Sequence, residues 1–264
     1  MQLMDCHVHV EALNQRDLEL MALAGIEAIV SHTSLPEAQS GFRSEAIFEF
    51  ADRMLGYHAW RSEKYSIRTH VCVCVSMVGV PVDYEAALSR LSGYITSHPI
   101  VGIGEVGLEP GSLTCPDLST QESILRAQLD IARSLNKPVA IHSPVADKAK
   151  FVGMYLGMVK EHGLNPARVI IDHADAACIR TVTDAGCYAA ITVQPHRKIR
   201  AADAAAMIKS ADTERVLVDS DCSVNEFDAL AVPRTALEMR RLGMTDEDIE
   251  RVLWHNPRKA YGIK

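Results

Sequence analysis

The sequence predicts an α/β protein, a single (β/α)8 barrel of the TIM type with its chemistry at the C-terminal ends of the strands. Eight short runs rich in Val, Ile and Ala alternate with helix-patterned segments. The runs are nearly continuously apolar, as strands buried on both faces are. Eight such units in roughly 250 residues is the usual size of the barrel. A doubly wound open sheet shares the alternation, but a His-x-His, and no Gly-x-Gly-x-x-Gly, follows the first strand. No linker, low-complexity stretch or repeat beyond the βα unit interrupts the pattern, so residues 1–264 are expected to form one domain.

Gln2–His9 reads as strand one, followed by a helix over Gln15–Ala24 that Gly25 ends. Ile26–Val30 is the second strand and Ser44–Gly56 an amphipathic helix, with Trp60 and Tyr65 in a long insertion expected to help cover the site. Alternation over Arg68–Val75 gives strand three, and Asp83–Gly93 its helix. Strand four covers Ile100–Val106 and strand five Pro138–His142, with a long helix over Thr120–Leu135 between them. The rhythm continues through helix Asp147–His162, strand Arg168–His173, helix Ala176–Asp184, strand Tyr188–Val193, helix Ala201–Lys209 and strand Arg215–Asp219. Two helices close the chain, about Phe227–Leu242 and Thr245–Trp254. Thr245 before Asp246, Glu247 and Asp248 suits the positive end of a helix dipole.

A hydrophobic share of 48% is ample for a large core, while aromatics at 5% leave that core to aliphatic side chains. The net charge of −7 repels polyanions at long range, so charge gives a nucleic-acid partner no support. Seven cysteines without framework spacing read as small buried hydrophobes in a reducing cytoplasm. No signal peptide opens the chain and no apolar run reaches the ~20 residues that span a bilayer, so a cytoplasmic protein without a membrane partner is expected.

Barrel chemistry gathers where the strands end. Strand one ends in His7 and His9, strand four in Glu105, strand five in His142, strand six in His173, and strand eight in Asp219, Ser220 and Asp221. His7 and His9 stand two apart, so both rings leave one face of the strand and can grip one cation. A single such pair is also compatible with hydrogen-bonded core histidines. Several polar strand ends converging in a barrel interior need a shared satisfier, and a metal is the economical one. Glu105, flanked by Gly104 and Gly107, could bridge two ions or simply occupy a turn. His32 falls just past strand two and is a candidate for orienting substrate at the mouth. His58, His70, His98, His162 and His255 read as ordinary surface or core residues, and Met154 and Met158 as core packing.

These motifs bring the chain close to a known family. Asp5-Cys6-His7-Val8-His9, Gly102-Ile103-Gly104-Glu105-Val106-Gly107-Leu108, Lys137-Pro138-Val139-Ala140-Ile141-His142-Ser143, Asp172-His173, Val218-Asp219-Ser220-Asp221 and a late Asn256 follow in order. Over nearly its full length the chain thus resembles the TatD-like branch of the amidohydrolase superfamily. The resemblance implies His7, His9 and Asp221 on one metal, His142 and His173 on a second, and Glu105 bridging, with Asp219 as the reserve for Asp221. It also has departures. Pro144 stands where TatD nucleases carry an arginine, Glu109-Pro110 replaces Asp-Tyr, and Gln194-Pro195-His196-Arg197-Lys198 follows strand seven. With Ala231-Val232-Pro233, these features are more like a side branch of archaeal and bacterial TatD-like proteins than a typical nuclease.

The implied activity is metal-dependent hydrolysis of a phosphoester, deoxyribonuclease activity included. One or two divalent ions activate a water and polarise the substrate, zinc being favoured by histidine-rich ligation and manganese or iron admitted by the carboxylates. Asp221 and Glu105 are the candidate catalytic residues, Asp221 as base. His196 and His32 are the candidates for substrate, while Arg197 and Lys198 read equally as substrate contacts or a solvated basic loop. Missing the arginine keeps a small-molecule amidohydrolase or lactonase as the alternative. A metal-binding scaffold without turnover is a third reading, of another class.

Overall fold

A computed structural model describes residues 1–33, 42–194, 197–224 and 226–264. Eight parallel strands follow one another around a barrel in chain order: β1 (Leu3–Val8), β2 (Ile26–His32), β3 (Arg68–Cys72), β4 (Ile100–Gly107), β5 (Val139–His142), β6 (Val169–Asp172), β7 (Tyr188–Thr192) and β8 (Val216–Asp219). The ring is drawn together where β8 ends beside β1: His9 N–H donates to the Cys222 carbonyl at 2.7 Å and Asp221 N–H to that of His7 at 2.9 Å. The expected (β/α)8 barrel is therefore the observed one.

The helices α1 (Gln15–Leu23), α2 (Glu45–Arg53), α3 (Ala59–Glu63), α4 (Tyr84–Ser97), α5 (Leu118–Leu135), α6 (Lys148–Glu161), α7 (Ile179–Asp184) and α8 (Ala201–Ser210) connect the strands. Beyond β8 come α9 (Ala231–Arg241), α10 (Asp246–Glu250) and α11 (Asn256–Tyr261). Local chemistry sets their ends. Asn14 and Asp17 cap α1 reciprocally, Asp117 accepts from Thr120 N–H at the start of α5, and Thr245 caps α10 through Asp248 N–H.

Several boundaries depart from expectation. The helical run after β2 does not stop at Gly56; a wide π-type turn over Met54–His58 carries it into α3. Trp60 is thus a helical residue, not a loop residue, with the Lys64 ammonium 3.7 Å from its ring centre. β3 ends at Cys72 because the next amides find side chains: Cys74 N–H donates to Thr33 Oγ1 and Val75 N–H to Gln128 Oε1. α9 begins at Ala231, four residues later than expected, which leaves Pro233 in the first turn where its missing N–H costs no helical bond. The last run extends past Trp254 through a second wide turn, Arg251–His255, into α11.

Two apolar clusters fill the molecule. The larger lies between strands and helices, and includes Leu18, Leu91, Leu129, Tyr155 and Met158. The smaller holds Met4, Cys6, Ala28, Val30, Cys72, Ala140, Ile170, Tyr188, Ala190 and Leu217 with Trp254 and Tyr261. It fills the barrel interior, and the site sits directly above it.

Candidate active site

The period of two along a strand carries the interior face from apolar residues to polar ones near the mouth. Val30 is followed by His32, Ala140 by His142, Ile170 by Asp172, Ala190 by Thr192 and Leu217 by Asp219. Four residues reach the site by other means. On β1 a register irregularity between Asp5 and Val8 accompanies the change from inward Met4 and Cys6 to inward His7 and His9. His173 and Asp221 lie just past their strands with positive φ, 56° and 44°, a conformation that re-aims their side chains.

The resulting constellation is compact. His7 Nε2 lies 3.9 Å from Glu105 Oε2 and 3.8 Å from Asp221 Oδ1, and His9 Nε2 lies 3.5 Å from that same Asp221 oxygen. On the other side, Glu105 Oε1 is 3.0 Å from His142 Nδ1 and 2.9 Å from His173 Nε2. Donors about 2.0–2.1 Å from a tetrahedral ion are themselves roughly 3.4 Å apart, so these spacings suit a metal. Among the described residues, His7, His9 and Asp221 form one group with metal-holding spacing, and His7, Glu105, Asp172 and His173 another. His7 Nε2 is buried with no hydrogen-bond partner, an open donor atom pointing into the cluster. All six expected ligands are therefore neighbours, with Glu105 between the two sides.

Surrounding groups fix the rings. Asp172 bonds His7 Nδ1, which leaves Nε2 free; its other oxygen accepts from His173 N–H. Glu109 bonds His142 Nε2 at 2.8 Å, which turns Nδ1 toward Glu105. Thr192 Oγ1 holds His173 Nδ1 at 2.6 Å, and Gln194 and Lys198 both donate to Asp221 Oδ2. Asp172, Glu109 and Thr192 were absent from the expected site. The sequence signal for Asp172 was present, a carboxylate closing the apolar run Val169–Asp172, but its partner is 165 residues away.

Charge follows this packing. Burial alone would raise the Glu105 carboxyl, yet His142, His7 and His173 together hold it well below the ordinary carboxylate value. Asp221 is likewise held low, against burial, by His9 and Lys198. Burial opposes a charge on His142, but Glu105 lifts its pKa to about 9. Beneath them, burial and the Asp172 charge push Asp219 well above its usual value, and both its oxygens lack partners. Asp219 lies below the cluster, and Asp221, not its reserve, faces His7 and His9.

The two expected substrate residues fare differently. His32 is the last residue of β2 and wholly buried: its ring lies 4.3 Å from that of His7, and its Nε2 faces Tyr261 Oη and the Cys6 carbonyl, each within 3.4 Å. It supports the floor of the site and does not face the mouth. His196 lies outside the described residues. The late Asn256 is structural, its amide donating to the carbonyls of Thr213 and Val216. His58 is buried away from the cluster, while His98 and His162 pair with Asp52 and Asp130 on the outer layer.

Comparison with known proteins gives the same picture. The family model for TatD related DNases matches residues 4–262. A metal-dependent hydrolase of Methanocaldococcus jannaschii is 30% identical over 261 residues, covering 99% of this chain and all of that one. The TatD-like protein of Archaeoglobus fulgidus superposes with a TM-score of 0.80 at 22% identity, over 98% of this chain and 99% of its own. A β-aspartyl dipeptidase of Fervidobacterium islandicum shares the fold at a TM-score of 0.70 and 13% identity, over 99% of this chain and 74% of that one.

Proposed function

The chain belongs to the TatD related DNase family and is a metal-dependent hydrolase, and from that premise we propose that it cleaves a phosphoester at a centre built by His7, His9, Glu105, His142, His173 and Asp221. One observation carries the reading: two adjoining groups with metal-holding spacing, His7 with His9 and Asp221 and His7 with Glu105, Asp172 and His173, meet at His7, whose Nε2 is unpartnered, with His142 3.0 Å from Glu105 beside them. His7, His9 and Asp221 would hold one divalent ion and His142 with His173 a second, Glu105 serving both. The imidazole-rich set favours zinc, and the carboxylates admit manganese or iron.

When bound, a divalent ion supplies Lewis acidity, polarising a substrate oxygen and making hydroxide available near neutral pH. The chain's own groups do the rest. Asp172 and Glu109 fix the ring orientation of His7 and His142. Asp221 offers Oδ1 to the centre while Gln194 restrains Oδ2; against burial, the His9 contact keeps it ionised and aimed to take a proton from the attacking water. His32, which burial and the neighbouring His7 push down to about 3, stays neutral beneath the cluster and adds no competing charge.

His7→Ala is expected to abolish stoichiometric metal binding in a folded protein, read by metal analysis and circular dichroism; retention of full metal and turnover would refute the assignment. Asp221→Asn should cost roughly 10²–10⁴-fold in kcat. The Ser143-Pro144 sequence, with no arginine to clamp phosphate, favours a small-molecule amide or lactone as the second reading. A panel of phosphodiesters, phosphomonoesters and lactones with added Zn²⁺ or Mn²⁺ separates the two. Among the described residues no helix is long and apolar enough to cross a membrane. Seven free thiols, six of them buried, agree with a cytoplasmic location.

A further inference from the structure

Lys198 belongs to none of the metal-ligand motifs, yet its ammonium stands inside the cluster. Nζ lies 2.7 Å from Asp221 Oδ2, 3.0 Å from His173 Nδ1 and 3.2 Å from His173 Nε2. The backbone around it is fastened: Lys198 N–H donates to the Gln194 carbonyl at 2.9 Å, and Ile199 pairs with Val193. Beside the cluster opens a cleft of about 220 Å³ lined by His142 and His173 of the cluster and by Lys148, Arg197 and Lys198. Among the described residues, Asp175 is the single acid lining it.

We propose, resting on the reading of the cluster as a metal centre, that Lys198 has two alternating positions: a stand-in cation among the metal donors, and the third arm of a cationic clamp for a phosphoryl group in this cleft. An ammonium about 3 Å from two ligand side chains competes directly with a divalent ion for their charge, since like charges at such separation repel strongly in a partly buried site. The ion displaces Nζ. With the backbone held, the side chain swings into the cleft it already lines. There Lys198 joins Lys148 and Arg197, giving, among the described residues, three cations against one carboxylate, an arrangement suited to a doubly charged anion. This replaces the clamp that Pro144 cannot supply. A cleft this small lies below the range for drug-sized ligands, so it reads a terminal phosphoryl group on a small substituent and does not enclose a polynucleotide.

The proposal makes two effects of opposite sign from one substitution. Lys198→Met is expected to tighten Zn²⁺ binding by about tenfold, and to weaken inorganic phosphate binding to the zinc-loaded protein by about tenfold or more. Both are read by titration calorimetry. Arg197→Gln should weaken phosphate several-fold without changing zinc affinity, because its side chain is outside the donor cluster. Lys198→Gln provides a second neutral variant should the methionine variant fold poorly, and is expected to behave the same way. If wild-type protein binds zinc and both Lys198 variants leave zinc and phosphate affinities unchanged, the proposal is overturned while the metal centre stands. A loss of zinc affinity in these variants also overturns it, since Lys198 would then be supporting Asp221 and not competing with the ion. If the wild-type protein binds neither Zn²⁺ nor Mn²⁺, the metal-centre reading itself fails and this inference falls with it.

Discussion

The buried contact between Asp172 and His7 orients a ring that the proposed centre would use. A neutral imidazole presents only one unprotonated nitrogen, so the acceptor on Nδ1 decides that Nε2 faces the cluster. Asp172→Asn keeps the shape and removes the charge. Zinc affinity is expected to fall about tenfold to a hundredfold, measured by competition with a chelating dye, with the circular dichroism spectrum unchanged; equal affinity would show that packing alone orients the ring. The proposed ligands are legible because each is a polar residue at or near the end of an apolar strand. Their orienting partners were less so. Asp172 and Glu109 meet His7 and His142 only after strands distant in sequence are brought side by side, and the positive φ of His173 and Asp221 leaves no mark in residue type.

At the scale of elements, close approach between strands places the proposed ligands. Gly107, at φ +150°, lies so near β5 that a Cβ would stand 2.7 Å from the His142 carbonyl oxygen and 3.0 Å from its Cβ. Gly107→Ala must therefore part β4 from β5, at a cost of about 1–3 kcal/mol, and should lower zinc affinity by displacing His142 from Glu105; chemical denaturation and zinc titration read the two effects. The wide turn Met54–His58 allows a prediction remote from the site. His58 is buried with neither ring nitrogen bonded, and burial with the Arg61 and Arg53 charges lowers its pKa from 6.5 to about 4. Between those values the unfolded chain binds the proton more readily, so its contribution is complete above pH 6.5 and is lost as pH falls toward 4. His58→Phe should flatten the acid-side fall of the unfolding free energy, read from urea denaturation, by on the order of 1–3 kcal/mol; an unchanged pH profile would exclude the ring as its cause. Period and capping residues made most helices readable in advance. The two wide turns were not, because a π-type turn uses the same helix-forming residues as the segments it joins, and the distinction lies in hydrogen-bond partners.

For the whole molecule, the distribution of the donors matters more than any one of them. His7 and His9 belong to the β1 end, Glu105 to β4, His142 to β5, His173 follows β6 and Asp221 follows β8. A metal held by these groups ties together five of eight strands at one rim, including the β8–β1 seam where the ring is joined. None of those ties exists in the unfolded chain with its donors dispersed, so binding must stabilise the barrel by linkage. At a free metal concentration about a hundred times Kd the gain is ~2.7 kcal/mol. For a chain of 264 residues, at about 2–4 °C per kcal/mol, the melting temperature should rise by roughly 5–10 °C on zinc loading and return to its starting value with a chelator. His7→Ala and Asp221→Asn should each abolish most of that increment while melting cooperatively, since both contribute to the seam side of the centre. An increment of wild-type size in both variants would mean that the ion binds elsewhere, and no increment in the wild-type protein would mean that the folded chain does not bind the ion in preference to the unfolded one.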